Sequence, residues 1–311
     1  MNKYMICLTA ACAMACMGSS PPRQPDLTPI DNHVPVGTGR FPAIMEQAAS
    51  LPGYTLYAPA NLTFSQKLPV VLWANGGCMA YGNRYRIFLS EIASHGYLVI
   101  AIGGVGPSTI EGGTEEGMPP PPKSTTAPTL SDYTQLGKAL DWATAQNRNA
   151  KSPLHAKLDT RRVAVMGHSC GGLQAIAAAA DPRVTTTVVM NSGVWNTGPG
   201  GLPGAPVTKA SLTRMHGSVL YIGGDASDGA HENSRDDFGR LTTIPAIWAY
   251  PDGVGHGGTY FEQAGGSFGK VVVSWLQWRL KGDRAASSMF AGVECGLCGD
   301  TRWHVARKNI K

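Results

Sequence analysis

Val163-Ala164-Val165-Met166-Gly167-His168-Ser169-Cys170-Gly171-Gly172-Leu173-Gln174-Ala175 is the stretch on which the reading of this sequence turns. An apolar, valine-containing run enters a tight G-H-S-C-G turn, and the alanine-rich L-Q-A-I-A-A-A-A follows with helix-forming residues. Strand, turn and helix in that order are the setting of a nucleophile elbow, in which a serine stands on a sharp turn with its hydroxyl exposed. Gly167 and Gly171, two residues to either side of Ser169, allow the close approach of strand and helix that such a turn demands. The first N–H groups of the helix have no partner within it, and that of Cys170 is placed to stabilise an oxyanion formed by attack of Ser169 on an ester. A bare G-x-S-x-G also arises by chance in a chain with 39 glycines. The flanking strand and helix signals set this copy apart.

Upstream, Leu68-Pro69-Val70-Val71-Leu72-Trp73-Ala74 is a continuous apolar run that reads as a buried strand leading into Asn75-Gly76-Gly77-Cys78. A Gly-rich turn after an early strand can bring a second backbone amide, that of Cys78 or Gly77, to the same oxyanion, although an ordinary strand-to-helix turn carries such glycines too. Residues 84–94 read as an amphipathic helix closed by His95-Gly96, and residues 97–102 as another buried strand. Strand, helix and strand imply a parallel sheet with right-handed crossovers. Before them, residues 54–58 alternate like an edge strand, and Asn61-Leu62-Thr63 is formally a glycosylation sequon. Residues 103–128 are too polar and proline-broken for a core element and are expected as a surface loop near the C-terminal edge of the sheet. A helix begins at Ser131-Asp132, with Asp132 as cap, and runs through Leu136, Leu140 and Trp142.

Downstream of the elbow, residues 184–190 and 219–222 read as strands, residues 245–250 as the last strand, and residues 268–280 as the helix that closes the fold. The second of these strands opens into Gly223-Gly224-Asp225-Ala226-Ser227-Asp228, and a loop at 252–258 holds His256 between glycines. Ser169, an acid and His256 thus stand in the order nucleophile, acid, base, which belongs to the α/β-hydrolase fold. Asp228 is preferred to Asp225 as the acid, because a carboxylate reaching to a histidine on a neighbouring loop needs a few residues of turn to aim it. Asp236 and Asp237 sit too far into the following helix-like segment. His168 reads as a packing or hydrogen-bonding neighbour, since side chains adjacent on a turn diverge; His95, His216 and His231 have no motif context and read as structural.

The sequence resembles secreted α/β-hydrolases of the dienelactone-hydrolase and cutinase-like polyester-hydrolase neighbourhood over roughly residues 65–282. The resemblance is carried by N-G-G-C, by A-S-H-G-Y-L-V-I at residues 93–100, by G-H-S-C-G-G, by Gly224-x-x-x-Asp228 and by the G-H-G around His256. It implies an α/β-hydrolase fold with a mostly parallel central sheet flanked by helices on both faces. It also implies a carboxylic ester hydrolase that forms an acyl-enzyme on Ser169, with His256 as base and Asp228 as acid. The oxyanion hole would be formed by the amides of Cys170 and of Cys78 or Gly77. The resembled polyester hydrolases place their acid four residues after the glycine that corresponds to Gly224. No cofactor or metal is expected; the partner would be a small or polymeric ester, and the protein a monomer. Asn75-Gly76-Gly77 departs from the His-Gly of many lipases, and Cys170 from the Met or Gln of polyester hydrolases, which bears on polymers rather than on ester chemistry. No lid-like apolar insertion supports a long-chain lipase, and residues 195–206 are a candidate lining for an acyl or alcohol pocket. A peptidase or acyltransferase on the same fold, or a non-catalytic secreted binding protein on a hydrolase scaffold, are the alternatives.

The chain has 311 residues, 43% of them hydrophobic, enough to bury a sizeable core. A formal net charge of +5 is spread thinly apart from the basic segment at residues 302–311, and no aromatic-interleaved basic groove points to nucleic acid. Residues 1–17 read as a signal segment, with Lys3, an apolar stretch from Met5 to Met17 and the small-residue site Ala13-Met14-Ala15. The expected location is therefore secreted or periplasmic, and membrane attachment would require lipidation at Cys16. Residues 18–45 are expected as an irregular arm, and residues 46–311 as a single α/β-hydrolase domain with a Cys-containing extension. Cys78, Cys170, Cys295 and Cys298 lie outside the signal segment, an even number suited to an oxidising compartment. If the Cys78 and Cys170 amides face one oxyanion, their Cα atoms lie within disulfide range, so Cys78–Cys170 and Cys295–Cys298 are expected; two free buried thiols are the competing reading of the first pair.

Overall fold

The computed structural model describes residues 27–29, 36–63, 66–106 and 130–310. The signal segment, most of the proline-rich loop and the lipidation position Cys16 lie outside the described residues. Ten strands form one sheet: β1 (Leu27–Pro29), β2 (Ala43–Ala48), β3 (Tyr54–Pro59), β4 (Leu68–Ala74), β5 (Leu98–Ile102), β6 (Leu158–His168), β7 (Thr186–Met190), β8 (Ser218–Ile222), β9 (Ala246–Pro251) and β10 (Trp303–Lys308). Their spatial order is β1-β2-β3-β5-β4-β6-β7-β8-β9-β10. The run from β5 to β9 is parallel throughout, and antiparallel strands complete it on both sides. This is the mostly parallel α/β-hydrolase sheet.

Period-two alternation in the buried strands divides the core into two layers. Val70 and Leu72 of β4, with Val163 and Val165 of β6, join Leu136, Leu140, Leu173 and Ile176 on one face. Val71 and Trp73, with Ala164 and Met166, join Phe88, Leu89, Ile92, Trp275 and Leu276 on the other. Helices α2 (Thr134–Arg148) and α3 (Cys170–Ala178) therefore cover the first face, and α1 (Arg86–Ser94) and α5 (Gly266–Lys281) the second. Both faces of each central strand are apolar because both are covered. Among the described residues no helix is long and apolar enough to cross a membrane.

Four expectations need correction. Residues 54–58 do not form an edge strand: β3 lies between β2 and β5, and all six of its residues are buried. The polar member of its alternation, Thr55, is satisfied internally by donating its hydroxyl proton to Gly103 O, so polarity did not imply exposure. Residues 245–250 are not the last strand, and residues 268–280 do not close the fold. Helix α5 is followed by short helical turns α6 (Arg284–Ser287) and α7 (Gly296–Gly299) and then by β10, antiparallel to β9. The basic segment is hence a strand. Its Lys308 ammonium donates to the carbonyls of Phe238 and Gly239 at the C-terminal end of α4 (His231–Arg240), where a cation suits the helix dipole. The segment at 18–45 is also not wholly irregular, since β1 and the first residues of β2 fall inside it.

Candidate active site

Ser169 stands between β6 and α3 with φ 53° and ψ −118°, a conformation that a non-glycine residue holds only where its surroundings enforce it. The enforcement is visible. Ser169 N–H donates to Met190 O on β7, and Ser192 Oγ donates to Ser169 O. A Cβ at Gly167 would overlap the carbonyl of Gly171, and one at Gly171 would overlap that of Ala74, so strand, turn and helix approach here as only glycine permits.

His256 Nε2 lies 2.9 Å from Ser169 Oγ, and His256 Nδ1 lies 2.7 Å from Asp228 Oδ1. Because an ionised carboxylate only accepts, Nδ1 carries the proton of neutral His256, and the Nε2 lone pair faces the serine hydroxyl. The Asp228 side chain is 1% exposed and that of His256 33%. Burial alone would raise the Asp228 carboxyl, but hydrogen bonds from His256, Ala230 N–H and Asn191, with the charge of His256, hold it well below the usual carboxylate range. Asp228 Oδ2 further accepts from Gly224 N–H. The structure thus brings Asp228, not Asp225, to His256. Asp225 closes its own turn, accepting from Ser227 and from Gly253 N–H.

The two expected oxyanion loops are tied together. Cys78 and Cys170 form a disulfide with Cα atoms 5.2 Å apart, and Cys295 and Cys298 form a second bridge. Cys170 begins α3, so its N–H is among those a helix leaves without an internal partner. Cys78 is buried and Gly77 exposed, both with left-handed backbones at φ 51° and 65°. Their loop is held from three directions. Trp73 Nε1–H donates to Asn75 Oδ1, Asn75 Nδ2 donates to the Met79 and Ile102 carbonyls, and Ser131 donates twice to Cys78 O.

His168 is a neighbour of this arrangement. Its Nε2 lies 2.9 Å from His256 O and its Nδ1 2.7 Å from Tyr85 Oη. A carbonyl only accepts, so Nε2 is the protonated nitrogen and Nδ1 accepts from the tyrosine. Desolvation, and then the charge of His256, lower its pKa to about 3, which keeps the ring neutral. His231 lies against the acid turn and donates through Nδ1 to Gly224 O, while His95 pairs with Glu91 and His216 bonds Asp181 O. Asn191 and Tyr260 were not singled out from the sequence, yet both lie within this network: Asn191 Nδ2 donates to Asp228 Oδ2, and Tyr260 Oη to Asn191 Oδ1. The only sequence signal for Asn191 is a polar residue directly after the apolar run of β7. Among the described residues no group of three or more His, Cys, Asp or Glu side chains is arranged to hold a metal ion.

A family model described as PET hydrolase-like matches residues 20–199, a stretch that includes the elbow. The hydrolase ffsE of Aspergillus flavipes is 28% identical over 193 residues, 58% of this chain and 40% of that protein. The alpha/beta hydrolase xenA of Xenoacremonium sinensis is 26% identical over 144 residues, 46% of this chain and 31% of that protein. The alpha/beta hydrolase psoB of Aspergillus fumigatus is 30% identical over 144 residues, 46% of this chain and 29% of that protein. The chain spans well under half the length of these curated relatives. Sheet order, elbow geometry and the stretch matched by the family model agree: the chain belongs to the PET hydrolase-like family and has the α/β-hydrolase fold.

Proposed function

We propose that the protein is a serine hydrolase that cleaves carboxylic esters through an acyl-enzyme on Ser169. The observation that carries this reading is the hydrogen-bonded series Ser169 Oγ, His256 Nε2, His256 Nδ1, Asp228 Oδ1. His256 takes the hydroxyl proton as Ser169 Oγ attacks the ester carbonyl, and returns it to the departing alcohol. Asp228 stabilises the imidazolium that forms and keeps Nδ1 protonated. The carbonyl oxygen, now negative, is held by the Cys170 amide and by that of Cys78 or Gly77; one such donor is worth about 3 kcal/mol in the transition state. Water activated by the same histidine then releases the acid. Family membership supports an ester as substrate. The two disulfides support an oxidising, extracytoplasmic location, as the signal-like N-terminus does.

The test is covalent labelling with a fluorophosphonate followed by peptide mapping, alongside hydrolysis of p-nitrophenyl esters of rising chain length. Label on Ser169, with Ser169→Ala folded and slower by about 10⁴-fold or more, is the expected result. A Ser169→Ala protein that keeps most of its esterase activity would overturn the reading, and hydrolysis of peptides in preference to esters would move it to peptidase.

A further inference from the structure

We infer that Asn191 is a positioning residue that locks the acid turn and the histidine loop into one frame, an inference that rests on the proposed roles of Ser169, His256 and Asp228. The sheet order supplies the first argument. Strand β7 lies between β6, which carries Ser169 at its end, and β8, which leads into the Asp228 turn. Asn191 is the first residue beyond β7, and so stands between the ends of those two strands. Its neighbours along the backbone make those ties: Met190 O accepts from Ser169 N–H, and Asn191 N–H donates to Ile222 O.

The side chain supplies the second argument. Asn191 is 1% exposed, and a buried primary amide is costly unless its donors are used. Nδ2 donates to Asp228 Oδ2 at 2.9 Å and to Gly255 O at 3.1 Å, so one nitrogen grips both the carboxylate and the residue before His256. Both of those partners can only accept, and Oδ1 accepts from Tyr260 Oη, so the amide has one orientation. Tyr260 is itself fixed among Trp73, Tyr85, Phe88 and Phe268. A further sign of constraint is φ 42° at Asn191, a left-handed backbone that asparagine tolerates better than most residues. Every hydrogen bond of the side chain thus goes to the acid, to the histidine loop, or to the tyrosine that aims it.

Removing the amide acts on Asp228 and His256 together. The carboxylate loses a donor that partly neutralises it, so its attraction for a proton on His256 grows and the imidazole becomes harder to deprotonate. The other ionisable groups around the pair are His168 at the end of β6, Tyr260 in the loop after β9, His231 on α4 and Arg84 beyond His168. None of these residues is replaced in an Asn191 variant, and Tyr260, which donates to Asn191 Oδ1, is probed separately by Tyr260→Phe.

The experiment compares Asn191→Leu, Asn191→Asp and Tyr260→Phe with the unaltered protein. Three measurements are made: kcat and KM on a p-nitrophenyl ester across pH, melting temperature, and the NMR titration of His256 in a Ser169→Ala background. Asn191→Leu should lower kcat about 100-fold with KM within about twofold, as expected for misplacement of the base by about 1 Å. The acidic limb of the kcat/KM profile and the His256 titration should both move upward by at least ~0.5 pH unit, and Asn191→Asp should move them further by adding a like charge beside Asp228. Tyr260→Phe, which keeps the bulk of the ring, should give a smaller kcat loss in the same direction. An unshifted His256 titration in both Asn191 variants overturns the inference, as does a kcat loss accounted for by unfolded protein. Because the titration needs no turnover, it answers even if Ser169 is inert, and failure of the hydrolase reading remains separate.

Discussion

The rings of His168 and His256 lie with centroids 5.1 Å apart, and the first holds the second by its main chain, donating Nε2–H to the His256 carbonyl. The residue before the proposed nucleophile thereby fixes the backbone of the proposed base, while the base's own side chain faces Ser169 and Asp228.

This role requires a neutral His168, with consequences for acid stability. Its pKa in the folded protein is about 3, below the ordinary value of 6.5, so between these pH values the unfolded chain binds a proton that the folded one refuses. Stability should therefore be unaffected by this group above pH 6.5 and should fall as pH drops toward 3, by a total on the order of 4 kcal/mol. His168→Gln should be less stable at pH 7 but should lose less on acidification. Melting temperatures at pH 7 and pH 4 check this, and equal acid sensitivity in both proteins would contradict it.

The Cys78–Cys170 bridge spans 92 residues of sequence and joins the two loops expected to hold the oxyanion. Cross-linking a loop of that size stabilises by about 4.6 kcal/mol in the chain-entropy picture. Cys78→Ser with Cys170→Ser should lower the melting temperature and reduce kcat more than it raises KM. Alkylation without reductant, read by intact mass, should find no free thiol among Cys78, Cys170, Cys295 and Cys298.

Gly224 faces the carbonyls of Val254 and Gly255 closely enough that a Cβ would overlap both. Gly224→Ala should push the acid turn away from the histidine loop and lower kcat by about 100-fold. Gly229→Ala, where a Cβ meets nothing within 4 Å, is the matched control and should leave kcat within about twofold. Similar losses in both variants would mean that the close approach is not what matters.

Strand β10 covers the outer side of β9 over six paired positions, from Trp303↔Pro251 to Lys308↔Ala246. Ending the chain after Gly299 should leave β9 as an open edge, lowering the melting temperature and promoting aggregation. Size-exclusion chromatography and a thermal melt check this; an unchanged melt and a monodisperse peak would show that the strand is dispensable.

The central parallel strands, the elbow and the chain order of Ser169, Asp228 and His256 were legible because each rests on a local pattern: a continuous apolar run, a strand–turn–helix switch, glycines around a histidine. Strand β10 was not, because W-H-V-A-R-K has the charge of a tail, and its place is decided by a carbonyl-lined helix end and by a free edge on β9 far away in sequence. The burial of β3 was missed for a related reason, since Thr55 looks solvent-facing until Gly103 O is found above it. Asn191 belongs to the same class. A lone asparagine after V-V-M says little until strand order puts Ser169 on one side of it and Asp228 on the other.

The far edge of the sheet also sets a timetable for the newborn chain. Synthesis runs from the N-terminus, so β4 through β9 emerge while β10 is still unmade, and the elbow can be assembled before the sheet is sealed. Until Trp303–Lys308 arrives, the unpaired side of β9 remains an open edge that can pair with another chain. Of the described strands β10 is made last, so a product that stops short of it presents an open sheet edge although Ser169, Asp228 and His256 are already present.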